Sequence, residues 1–146
     1  MIQKIMDISE RELYEFLSYC MYPSQEKITA ECNQYRSRKN RELYGVYIEG
    51  SLTGIIGLEH EGSETELKHI AVHPDHRQKG LGSKLISAIT QLDKIDTLFA
   101  ETDSDAVRFY EKMGFEILSL GEKYPGVERF QCVYYCNSTG QRGSSE

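Results

Sequence analysis

A single α/β domain with a mixed sheet is what this sequence predicts, on three observations. Runs of apolar residues with strand periodicity and with helix periodicity alternate along the chain. Their order is strand, two helices, three strands, helix, strand, helix, two strands. The length of 146 residues and a hydrophobic fraction of 39% suit one sizeable core.

The elements follow from local signals. Residues 2–8 read as a short strand with few breakers. Ser9 and Glu12 form a capping box, and Leu13, Phe16, Leu17, Cys20 and Met21 recur at helical spacing. Pro23 ends that helix. Residues 26–39 form a second, more polar helix around Ile28, Ala30, Cys32 and Tyr35. Residues 43–49, 52–59 and 65–73 read as an antiparallel meander, joined at Gly50-Ser51 and Gly62-Ser63 and closed by Pro74. A loop reaches Gly82, and Leu81, Leu85, Ile89 and Leu92 then mark a helix. Residues 97–100 are a buried strand. Asp103 or Ser104 caps a helix carrying Ala106, Phe109, Tyr110 and Met113, with Gly114 as its stop. Strands at 116–120 and 128–135 finish the domain, and a connection over 121–127 holds Tyr124-Pro125-Gly126. Residues 137–146 are Ser, Gly, Gln and charge, and are expected to be a disordered tail.

Composition excludes several classes. A formal net charge of −6 is a poor basis for nucleic-acid binding. No run is long and apolar enough to span a membrane. The N-terminus lacks the apolar core of a secretory signal, so a cytoplasmic location with reduced thiols is expected. Cys20, Cys32, Cys132 and Cys136 match no zinc spacing well, and no metal site is expected. One stretch stands apart. Residues 68–84 hold Lys68, Arg77, Lys79 and Lys84 against Asp75 alone, with His69, His73 and His76 among them. A basic island in an acidic chain suggests an anionic ligand.

That island contains Gly80-Leu81-Gly82 at the start of a helix. Glycines there leave backbone N–H groups open, and these groups with the helix dipole attract phosphate. No Lys-Ser/Thr pair follows Gly82, so it is not a P-loop, and Leu85 stands where a dinucleotide fold needs a third glycine. The segment Arg77-Gln78-Lys79-Gly80-Leu81-Gly82 resembles the Arg/Gln-x-x-Gly-x-Gly/Ala signature of the GNAT superfamily of N-acetyltransferases. The preceding residues 67–74 look like that family's fourth strand, and Phe109-Tyr110-Glu111-Lys112-Met113-Gly114-Phe115 like its second hallmark.

The resemblance covers about residues 2–135 and makes 1–136 an acetyltransferase domain. It implies a mixed, mostly antiparallel sheet of about seven strands, splayed between the fourth and fifth, with helices on both faces. It implies acetyl-coenzyme A as cosubstrate, its pantetheine beside Ile70, Ala71 and Val72 and its pyrophosphate on Arg77, Gln78, Lys79, Gly80, Leu81, Gly82 and Ser83. Tyr110 falls where the family often places a tyrosine near the coenzyme sulfur. A phenol with a pKa of about 10 can protonate a leaving thiolate.

The base is open among Glu66, which occupies the place of the catalytic glutamate of histone-acetylating members, Glu101 at the end of the fifth strand, His69, and a water chain with no dedicated residue. Asp103 departs from the family's Asn, which makes a capping role the simpler reading. The implied reaction is direct acetyl transfer to a primary amine of a small molecule or peptide in a ternary complex. Glu59, Glu61, Glu64, Glu66, Glu101 and Asp103 near strand ends would suit a cationic acceptor. In this family the connection over 121–127 lies beside the acceptor cleft, and a homodimer is compatible with the pattern. The alternative is a non-catalytic acyl-coenzyme A-binding or sensing module of the same fold.

Overall fold

A computed structural model describes residues 2–136. The predicted tail over 137–146 lies outside the described residues. The elements are β1 (Ile2–Lys4), α1 (Glu10–Ser18), α2 (Gln25–Ser37), β2 (Arg41–Ile48), β3 (Ser51–Glu61), β4 (Glu64–Val72), a 3-10 turn (Pro74–His76), α3 (Leu81–Thr90), β5 (Thr97–Asp103), α4 (Val107–Lys112), β6 (Glu116–Tyr124) and β7 (Val127–Tyr135). The seven strands are ordered β1-β2-β3-β4-β5-β7-β6. Only β4 and β5 pair in parallel among the pairings described; the register puts Glu64, Thr65 and Glu66 beside Thr97, Leu98 and Phe99.

The chain divides into two compact units. One comprises the residues up to His60 with Leu67–Ala88; the other comprises Glu61–Glu66 with the chain from Ile89 on. In the first, the Ser9 hydroxyl accepts from the Glu12 N–H and starts α1, and Ser24 does the same from Lys27 to start α2. Leu13, Phe16 and Leu17 of α1 and Ile28 and Cys32 of α2 bury against Leu43, Ile55 and Ala71 of the strands. Each large side chain so removed from water contributes roughly 1.5–3 kcal/mol. On the other face Leu85 of α3 approaches Gly54 of β3. The β2–β3 turn is Glu49-Gly50, with φ of 52° and 84°, not Gly50-Ser51. A two-residue hairpin turn needs positive φ at both central positions, and this places Ser51 already in the strand.

Beneath the helices lies a buried polar network. The Arg41 guanidinium, 8% exposed, donates from Nε to Glu59 at 2.5 Å and from Nη1 to Glu31 at 3.1 Å. It also lies 4.8 Å from the centre of the Tyr35 ring. The Tyr35 hydroxyl meets His69 Nδ1 at 2.6 Å, and His69 Nε2 is 3.7 Å from Glu31. Burial keeps the Tyr35 phenol protonated, so it is the donor. Gly57 is required here, because a Cβ would overlap the Tyr35 hydroxyl.

In the second unit β5, β7 and β6 form an antiparallel layer with α4 on one face. The predicted seven-residue connection over 121–127 is instead a continuation of both strands, leaving Pro125-Gly126 as the turn. Gly121, φ 80°, sits at the first of the two register shifts that the longer hairpin carries, and Gly126, φ 77°, sits in the turn.

Burial drives the His69 imidazole down to about 4, with Arg41 and Lys68 adding to the fall and Glu31 opposing it. Between that value and an unfolded pKa of about 6.5, the unfolded chain binds a proton that the folded chain refuses. Stability should therefore fall as pH drops through this window, by roughly 2–3 kcal/mol from this residue. In urea unfolding at pH 7.5 and pH 4.5, His69→Gln should shrink the difference between the two pH values by that amount.

Candidate active site

The loop before α3 is shaped by two left-handed residues. Gln78 has φ 64° and Gly80 φ 77°. Gln78 carries this conformation as a non-glycine residue, which costs on the order of 1 kcal/mol. Lys84 donates to the Gly80 carbonyl at 3.1 Å, the first bond of the helical ladder. The N–H groups of Leu81, Gly82 and Ser83 thus have no carbonyl four residues back inside the helix. Among the described residues, no atom lies within 4 Å of a Cβ built on Gly80. The arrangement is an open cradle of backbone donors at the positive end of a ten-residue helix, which is what a pyrophosphate needs.

Its basic side chains divide the work. Arg77 Nε donates to the Val72 carbonyl at 3.0 Å and its guanidinium lies 5.6 Å from the centre of the Tyr19 ring. Arg77 therefore braces the loop against the end of β4. Lys79 Nζ lies 3.4 Å from His76 Nδ1 at the surface. Upstream on β4, Ala71 is buried while Ile70 and Val72 are half-buried. His73 donates its N–H to Thr53 of β3, so strand alternation turns the Ile70 and Val72 N–H groups to the other edge. The Cys20 sulfur is hydrogen-bonded to the Ile70 backbone; burial nonetheless pushes this thiol up to about 11 and keeps it protonated. Cys20 is exposed at the residue level, Cys32, Cys132 and Cys136 are buried, and none of the four forms a disulfide.

The candidate acid Tyr110 and two of the three candidate bases, Glu66 and Glu101, belong to the second unit. Tyr110 is 6% exposed on α4, its ring edge-on to Phe109 at 5.3 Å and to Phe115 at 5.2 Å. Phe115 in turn meets Tyr134 of β7. The helix ends in a Schellman pattern: Gly114, φ 100°, donates to Glu111 and Phe115 donates to Tyr110. Its N-cap is Ala106, not Asp103 or Ser104. Asp103 still serves the start, because its Oδ1 accepts from the N–H groups of Asp105 and Ala106.

Glu66 pairs with Phe99, and Glu101 lies two residues beyond Phe99. The two carboxylates share one sheet face, and α4 packs on the other. Glu101 accepts from Arg129 at 3.1 Å and Lys123 at 3.3 Å. Burial alone would raise its pKa, but these two cations outweigh it and hold the carboxyl below its ordinary value. Lys123 and Arg129 escape a sequence reading because the hairpin register that brings them to Glu101 depends on the bulges in β6. His69, the third candidate base, is consumed in the buried network of the first unit.

The GNAT acetyltransferase domain model matches residues 39–117, over half of the chain. The chain belongs to the GNAT acetyltransferase family. An uncharacterised N-acetyltransferase in the lysA 3′ region of Bacillus methanolicus is 31% identical over 68 residues. That match spans 46% of this chain and 57% of the relative, so it covers little more than half of that protein. Among solved structures, an aminoglycoside 6′-N-acetyltransferase complexed with coenzyme A superposes with a TM-score of 0.80 at 15% identity, over 93% of this chain and 97% of that one. The ribosomal-protein-S18-alanine N-acetyltransferase of Escherichia coli gives 0.76 at 20% identity, over 93% of each chain. At these identities the likeness is one of fold.

The capping geometry of α4 yields a direct test. Asp103→Ala removes two hydrogen bonds to the turn that leads into the helix and should cost about 1 kcal/mol in urea unfolding. Asp103→Asn keeps the acceptor oxygen and should stay within a few tenths of wild type.

Proposed function

We propose that this GNAT-family chain is an acetyl-coenzyme A-dependent N-acetyltransferase acting on a primary amine by direct attack in a ternary complex. The observation that carries the reading is the open cradle formed by left-handed Gln78 and Gly80 ahead of the free first turn of α3. A side chain at Gly80 would intrude on space that a diphosphate needs. The fold match to a coenzyme A-complexed relative supports the same choice of ligand. Acetyl-coenzyme A supplies an acetyl group activated as a thioester.

The residues divide the remaining tasks. The amides of Leu81, Gly82 and Ser83, aided by Lys79, hold the pyrophosphate, and the edge of β4 at Val72 holds the pantetheine, the Ile70 N–H being engaged by the Cys20 sulfur. Glu66 takes the proton that an ammonium must lose before its nitrogen attacks. Glu101 is the weaker base, since Arg129 and Lys123 stabilise its charged form. Tyr110 gives its proton to the departing sulfur. Proton removal and proton delivery use separate groups. The acceptor is a cationic small molecule or a peptide amine. The non-catalytic alternative would need no hydroxyl at position 110.

Acetyl-coenzyme A should raise the melting temperature, stabilising the fold by about 2.7 kcal/mol at a hundredfold excess over its dissociation constant. Gly82→Val should abolish that shift in a protein that still unfolds cooperatively. A preserved shift would remove the pyrophosphate assignment.

Tyr110→Phe retains the ring packing on Phe109 and Phe115. It should lower kcat by roughly 10²-fold with coenzyme binding changed by no more than a few-fold. An unchanged kcat would return Tyr110 to the core and favour the sensing module.

A further inference from the structure

One backbone donor of β4 is held by a side chain that the proposed chemistry has not used. The parallel pairing with β5 takes in Glu64, Thr65 and Glu66 and goes no further among the pairings described. His73 donates its N–H to Thr53 of β3, so the N–H groups of Ile70 and Val72 point away from that strand. The polar groups of such an edge need partners from side chains, water or a ligand. Two side chains of the same unit supply part of that need. The Ile70 N–H donates to the Cys20 sulfur, and the Val72 carbonyl accepts from Arg77 Nε at 3.0 Å.

Local contacts fix Cys20 where it is, two residues past the end of α1. Its N–H donates to the Leu17 carbonyl at 3.1 Å, and its thiol donates to the same oxygen at 3.5 Å. The neighbouring Tyr19 ring lies 5.8 Å from the His73 ring and 5.6 Å from the Arg77 guanidinium. Tyr19 therefore anchors this end of α1 where β4 closes, and Cys20 falls beside Ile70. With its S–H spent on Leu17, the sulfur meets the Ile70 N–H as an acceptor.

The strength of that contact decides what it can do. A thiol sulfur is a weak acceptor, whereas a carbonyl oxygen offers two good lone pairs. A thiolate would grip the N–H much harder. Burial pushes the Cys20 thiol up to about 11, which keeps it neutral and the grip weak. The donor is thus satisfied in the folded chain and still open to a better acceptor. The arm of acetyl-coenzyme A carries amide and thioester carbonyls, which are acceptors of that kind.

We propose that Cys20 is a positioning residue for the coenzyme: its thiol keeps the Ile70 N–H in place on the open edge of β4 and yields it to a carbonyl oxygen of the pantetheine arm. This rests on the acetyl-coenzyme A reading above. No covalent bond is made or broken, and the thiol stays a thiol. Position 20 then tunes coenzyme affinity by how hard its side chain competes for one donor. Alanine leaves the donor bare for the coenzyme. A serine hydroxyl accepts more strongly than a thiol and competes harder.

The experiment measures dissociation constants calorimetrically for wild type, Cys20→Ala and Cys20→Ser. The ligands are acetyl-coenzyme A and 3′-phosphoadenosine 5′-diphosphate, which keeps the nucleotide and pyrophosphate and lacks the arm. Acetyl-coenzyme A should bind Cys20→Ala about fivefold more tightly than wild type and Cys20→Ser about fivefold more weakly, the range of one hydrogen bond of ordinary net strength. The armless fragment should bind all three alike, and so doubles as the check that each variant is folded. Weaker acetyl-coenzyme A binding by both variants is what lost packing at the end of α1 would give, and it would overturn the proposal. Equal affinity of all three proteins would overturn it too, with the coenzyme reading intact, as would parallel changes for both ligands. If acetyl-coenzyme A binds none of the three, the coenzyme reading falls and this proposal with it.

Discussion

Arg41 is the residue around which the first unit is organised. A guanidinium 8% exposed is tolerable only if its donors are met, and Glu59 and Glu31 meet them from β3 and α2. Removing one partner of such a buried pair leaves an uncompensated charge, typically worth 3–5 kcal/mol. The same carboxylate of Glu31 faces His69 of β4, and Tyr35 of α2 lies between His69 and Arg41. One charge thus ties α2 to β2, β3 and β4 together. The apolar cluster under α1 and α2 supplies the driving force but is non-directional. The network supplies direction, because each hydrogen bond is satisfied in only one register of helix on sheet.

Local constraints of that kind also shape the ligand loop. Arg77 reaches back to the Val72 carbonyl, fixing where β4 ends relative to the first turn of α3. Gln78 and Gly80 then turn the chain so that the helix starts with its donors uncovered. Strained backbone of this sort persists where function uses the shape.

How far the sequence discloses this depends on the range of the interaction. The capping box at Ser9, the Schellman stop at Gly114 and the Gly80-Leu81-Gly82 start are local, and each is found where the residues imply it. The β2–β3 turn shifts by one residue because Glu49 adopts a left-handed conformation that glutamate seldom takes. The β6–β7 hairpin is less legible. Gly121, Pro125 and Gly126 all look like turn residues, yet Gly121 occupies a bulge and only the last two make the turn. That misreading hides the clamp of Lys123 and Arg129 on Glu101, since both residues fall near the expected loop. The His69 network is hidden for another reason: its partners are 28 to 38 positions away in sequence, and no periodicity links them. In sequence His69 is a candidate base because imidazole titrates near neutrality, a property that burial removes.

Charge is segregated between the units in a way that a net value of −6 conceals. The unit with the α3 turn holds the basic island of Arg77, Lys79 and Lys84 at the cradle. The other unit holds the carboxylate-rich sheet face, with Arg129 spent on Glu101. An acetyl transfer from a phosphate-bearing donor to an ammonium-bearing acceptor joins reactants of opposite sign, and each would be drawn to the wrong surface on a uniformly charged protein. In the proposed reaction, placing each sign beside its own partner would prevent that misdirection at short range, where screening by salt is weakest. The excess of carboxylates would then act on the amine alone: it would raise the local concentration of ammonium forms, and the base would still have to remove a proton that the same negative field helps to retain. Lys123 and Arg129 offset part of that field at Glu101.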